Sequence, residues 1–100
     1  MTRSSSAGSG TEVEAPTLLQ TGPESFVVLL GDGVQREVRL AHHTRRGLGL
    51  VAVPPLQVAT EAVRIVQERG ELLAGDGVLD LGVAVGRDPA GMEELRMRLA

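Results

Sequence analysis

Phe26 is the only aromatic side chain in this sequence, and Trp and Tyr are absent. Aromatic side chains carry the largest apolar area per residue, so a core without them has to be assembled from Val, Leu and Ala. The same absence closes off several functions. Base-stacking platforms of the RNA-recognition and oligonucleotide-binding kind need exposed aromatic rings, as do cages for quaternary ammonium groups. A core is still expected, because 42% of the residues are apolar and only 23% charged, a globular profile rather than a disordered one. One hundred residues suffice for one such core and not for two.

Cysteine is absent, which removes disulfides, Fe–S clusters, thiolate zinc sites and thiol nucleophiles. All ten basic residues are Arg, there is no Lys or Asn, and Ile65 is the single Ile. That pattern reads as the codon bias of a GC-rich genome, and it also excludes a catalytic lysine. The net charge of −3 argues against a generally basic nucleic-acid binder and against a polybasic membrane protein. The longest apolar run, Leu48 to Leu56, contains two prolines and a glycine, so no segment approaches a bilayer span. The N-terminus, with Arg3 followed by Ser4-Ser5-Ser6-Ala7-Gly8-Ser9-Gly10, has no apolar stretch of the secretory type. A cytoplasmic location is the expectation.

Residues 1–22 read as a flexible arm, with Leu18 and Leu19 as its one large apolar pair. An unstructured tail is the simpler reading, and a short segment that docks on a partner is the sharper one. Residues 23–100 are expected to form a single domain. Phe26-Val27-Val28-Leu29-Leu30, the turn Gly31-Asp32-Gly33 and Val34 to Leu40 together predict a β-hairpin. Arg36 falls on the inward phase of its second strand, which requires either an edge position or a partner for the guanidinium. The polar stretch from Ala41 to Gly47, read as a loop, is followed by Leu48 to Val53, read as a third strand that Pro54 stops.

Pro55 can begin a helix. The apolar stripe Leu56, Ala59, Ala62, Val63 and Val66 predicts an amphipathic helix over 56–69, ended by Gly70 or extended to Leu73 with Gly75 as its cap. Val78 to Val85 alternates apolar and small or polar residues, which predicts a half-buried strand. Asp88 as N-cap, Pro89 at the first helical position, and Met92, Leu95 and Leu99 on one face predict a last helix, with Glu94 and Arg98 paired along it. The expected fold class is α+β: a two-layer sandwich in which a small, mostly antiparallel sheet carries two helices on one face.

The strongest local charge feature lies between Val34 and Arg46, where four arginines face a single acid, Glu37. Arg36, Arg39, His42, His43, Arg45 and Arg46 are therefore the candidate contacts for an anion or a partner, since Arg presents a planar donor fork. The competing reading is a solvated edge whose charges deter strand association. Adjacent His42 and His43 are poorly placed to chelate one metal, and no HxH, HxxxH or HExxH spacing exists, so no metal site is assigned. Gly47-Leu48-Gly49-Leu50-Val51-Ala52 mimics a dinucleotide fingerprint, but prolines follow it where a helix is required. The two Gly-Asp-Gly triplets lack calcium-loop spacing. The serines lack a nucleophile elbow.

No cofactor and no catalytic residue is assigned, and a non-catalytic reading is preferred to an enzyme. The leading expectation is a small interaction module or accessory subunit whose uncovered sheet face or hairpin edge, with Val27, Leu29, Val51 and Val53 as contributors, meets a protein partner or a second copy. The runner-up is an anion or nucleic-acid binder using segment 36–46. A ligand-binding or enzymatic subunit comes third, and it requires a pocket that brings His43 near Asp80 or Glu37.

Overall fold

Strict alternation on two short segments sets the sheet. In Ser25–Leu29 (β2) the side chains of Phe26 and Val28 are fully buried, and in Gln35–Arg39 (β3) Arg36 and Val38 are buried while Gln35, Glu37 and Arg39 are exposed. The two strands pair antiparallel with Phe26 opposite Val38 and Leu29 opposite Gln35. The computed structural model describes residues 17–30, 33–73, 75 and 77–99. The expected turn Gly31-Asp32-Gly33 therefore lies partly outside the described residues, as does most of the proposed arm.

Two further strands complete a four-stranded sheet. Thr17–Gln20 (β1) pairs antiparallel with β2, and Leu79–Asp80 (β4) pairs parallel with β3, giving the order β1-β2-β3-β4. The described helices are His42–Gly47 (α1), Pro55–Glu68 (α2), Leu81–Gly86 (α3) and Pro89–Leu99 (α4). The result is the expected two-layer α+β fold, with four helices rather than two among the described residues.

The core joins the inner sheet face to α2, α3 and α4. Phe26, Val28, Val38 and Leu79 from the sheet meet Val58, Ala59, Ala62, Val63, Ile65 and Val66 of α2, Leu81, Ala84 and Val85 of α3, and Leu95 of α4. The stripe on α2 is wider than the spacing predicted: Val58 and Ile65 are buried and Leu56 is partly exposed, because α3 and α4 cover a second flank of the helix. Gly70, at φ +73°, ends α2, and the Glu71 amide closes back on the carbonyl of Val66 at 3.0 Å. Asp88 caps α4 through the Ala90 amide at 3.0 Å, as its sequence predicted. Arg36 faces inward and has its partners, donating from Nη1 to the carbonyls of Leu72 (3.1 Å) and Gly75 (3.4 Å).

Four local expectations are corrected. Thr17–Gln20, inside the segment read as an arm to residue 22, is a strand of the sheet, because Leu18 lies opposite Val28 and packs against the core. The polar stretch after Leu40 is helical: the Glu24 carboxylate accepts the His42 amide at 2.7 Å, doing from a distance what an N-cap side chain does locally. Leu48 to Val53 forms turns rather than a third strand. Gly49 adopts φ +73°, the Leu50 amide returns to the Arg45 carbonyl at 2.9 Å, and the free side of β3 is taken by β4. The predicted strand over 78–85 is a strand only at Leu79–Asp80; Asp80 then accepts the Val83 amide at 3.1 Å and starts α3. Leu81, Ala84 and Val85 are buried and Val83 is exposed, a helical periodicity hidden inside an alternating sequence.

Candidate functional site

The connections at one end of the sheet converge. Gln20 closes β1, Pro23 and Glu24 form the turn into Ser25 of β2, Arg39 closes β3, His42 opens α1 and Pro55 opens α2. With Arg45 these residues line an open cleft of about 820 Å³. Glu24 is its organiser. Its backbone carbonyl accepts the Leu40 amide at 2.9 Å, one carboxylate oxygen accepts the His42 amide, and the other accepts Arg39 Nη2 at 3.0 Å. The His42 amide first, and then the Arg39 guanidinium, hold the Glu24 carboxyl below its ordinary value.

Arg45 forms the buried wall of the cleft and is only 8% exposed. Its Nη2 donates to the carbonyls of Val51 (3.2 Å) and Val53 (3.3 Å), and its Nη1 stands 3.5 Å from His42 Nδ1. These bonds tie the turns after α1 to the helix, which explains why residues 48–53 are held without strand partners.

The six candidates are therefore dispersed. Arg36 lies inside the sandwich, Arg39 and Arg45 meet at the cleft with His42, and His43 and Arg46 are exposed on α1. Glu24, Gln20 and Ser25 were missed, since a single acid in a turn and neutral residues at strand ends carry no spacing signal. His43 makes no hydrogen bond or ion pair with Asp80 or Glu37, and no group of three or more His, Asp or Glu suited to a metal occurs among the described residues.

The second candidate surface is the outer sheet face. The register places Leu19 beside Val27 and Leu29 beside Thr17, with Glu37, Gln35 and Arg39 across β3. Leu19 is 53% exposed, while Val27 and Leu29 are half-buried. Val51 and Val53, which the sequence associated with this face, sit instead in the turns above Arg45. Among the described residues no helix is long and apolar enough to cross a membrane. No known protein family, characterised protein or solved structure matches the chain.

Proposed function

We propose that this protein is a non-catalytic interaction module that docks through the outer face and open edge of its sheet, and that a second copy of the chain can occupy that edge. The observation that carries the reading is β1. Among the described residues it is the outermost strand, and Thr17-Leu18-Leu19-Gln20 holds no charge and no proline, the usual guards of an exposed edge. The opposite edge is blunt, because β4 is two residues long and turns directly into α3.

Symmetry supports a second copy. Residues opposed across an antiparallel pair share a face of the sheet, so a two-fold axis perpendicular to a continuous sheet must pass through a residue rather than between two. Centred on Leu19, it sets Leu19 against its own copy, Leu18 against Gln20 and Thr17 against Thr21. Every one of these pairs is uncharged, so no like charges meet across the axis, and the Leu19–Val27 rows of the two copies merge into one apolar band. Four residues of edge make a small interface, and the association is correspondingly weak.

Sedimentation equilibrium and amide-resolved NMR of the full chain over a concentration series test this. Concentration-dependent shifts confined to β1 and to Val27 and Leu29, abolished by Leu19→Glu, are expected. Leu19→Glu sets carboxylates opposite one another only in the dimer, and the exposure of Leu19 leaves the monomer fold intact. A strictly monomeric chain across the series, or a dimer indifferent to Leu19→Glu, would overturn the reading.

A further inference from the structure

We infer that the cleft at the end of the sheet is a binding site for a small oxyanion, a carboxylate or phosphate group, with the buried Arg45 supplying the charge and Arg39 and His42 the grip. The inference is independent of the sheet-face reading and rests on the unbalanced charge of the cleft. Buried guanidinium groups are ordinarily matched by a carboxylate. Arg39, Arg64, Arg69, Arg87, Arg96 and Arg98 each have an acid within 4 Å. Arg45, more buried than any of them, has none among the described residues: its Nη donors meet two neutral carbonyls and a histidine nitrogen, and its Nε is buried without a partner.

Among the described residues the cleft thus holds two guanidiniums against one carboxylate, in a chain whose net charge is −3. Glu24 is already committed to Arg39 and to the His42 amide. The backbone amide at the start of α1 is therefore occupied, and an incoming anion has to be held by side chains. Those available are the remaining guanidinium donors of Arg39, whose side chain is 53% exposed, the His42 ring, and the polar groups of Gln20 and Ser25 on the same walls. A planar or tetrahedral oxyanion matches the donor fork of Arg39 and compensates Arg45 through a low-dielectric wall, where charge is weakly screened. The open cleft leaves room for the rest of a small metabolite.

The test is a titration of the full chain with inorganic phosphate and, separately, with succinate, read by amide and arginine side-chain NMR, with sodium chloride at matched ionic strength as the control. Saturable shifts at Ser25, Arg39, His42 and Arg45 in either arm, absent with chloride, are expected, and the arm that saturates identifies the anion. Arg39→Gln, on an exposed side chain, is expected to weaken the apparent affinity about tenfold, the equivalent of one charge-assisted hydrogen bond. Because Arg45 also ties residues 51 and 53, Arg45→Gln is read only alongside its amide spectrum, and Arg39→Gln and His42→Ala carry the decision if it unfolds. Shifts matched by chloride, no saturation in either arm, or undiminished binding in both Arg39→Gln and His42→Ala would overturn the inference. Leu19→Glu should leave the titration unchanged, so a failure here and a failure of the sheet-edge reading are told apart.

Discussion

At the scale of single residues, the same residue type carries opposite consequences according to what stands beside it. Gly91 on α4 is buried where the helix crosses the end of α2: a Cβ there would lie 2.0 Å from Arg69 Nη2 and 2.8 Å from the Val85 carbonyl. The arginine tip could swing away only by giving up its bond to the Ala84 carbonyl at 3.0 Å, and the Val85 backbone cannot retreat. Gly47, also helical, has nothing within 4 Å of its Cβ position. Gly91→Ala is therefore expected to destabilise the protein by about 1–3 kcal/mol through overpacking, and Gly47→Ala to stabilise it by about 0.5–1 kcal/mol through backbone entropy. Urea denaturation of the two variants checks both signs. Neither difference is visible in the sequence, where Gly91 lies in a predicted helix and Gly47 closes a polar stretch, and neither setting says what would meet an added Cβ. Arg45 teaches the same lesson: nothing in Arg45-Arg46 says which of the two is buried, and α1 decides it.

At the scale of elements, short segments take the state that a neighbour offers. The helix α1 has no capping side chain of its own, and it exists where it does because Glu24, from the turn before β2, accepts its first amide. That contact makes the junction between β3 and α1 pH-dependent. The folded Glu24 carboxyl titrates below its ordinary value, so the stabilisation is fully present above the unfolded glutamate pKa of about 4.3 and is lost as pH falls through the lower folded value. The difference in urea midpoint between the native chain and Glu24→Gln should accordingly hold constant from neutral pH down to about 4.3 and shrink as the solution is acidified further. A difference that stays flat into acid, or that grows there, would contradict the assignment. The strand-to-helix switch at Asp80 has the same character. Two residues pair with β3, and the Asp80 side chain then caps the next turn, so an alternating sequence ends as a helix.

At the scale of the whole molecule, the scarcity of aromatic residues concentrates the core on one side chain. Phe26 sits fully buried on the central strand β2, opposite Val38 and within the single cluster formed with α2, α3 and α4. Phe26→Ala is expected to cost about 3–5 kcal/mol and to lower the thermal midpoint by roughly 12 °C or more, read by circular dichroism. The sequence by itself determined the α+β class, the hairpin strands and the two long helices. These follow from signals contained within each segment: the apolar run 26–30 and, beyond the turn, the segment 34–40, the stripe beginning at Leu56 after Pro55, and the Asp88-Pro89 start. The tertiary structure alone decided that Thr17–Gln20 joins the sheet, that 42–47 coils, that 48–53 does not pair, and that Arg45 is enclosed beside Arg39 and His42. Segments of four to six residues are too short to stabilise one conformation by their own propensity. Their state is set by an edge, a carboxylate or a carbonyl contributed from elsewhere in the chain, and the candidate cleft is assembled from those contributions.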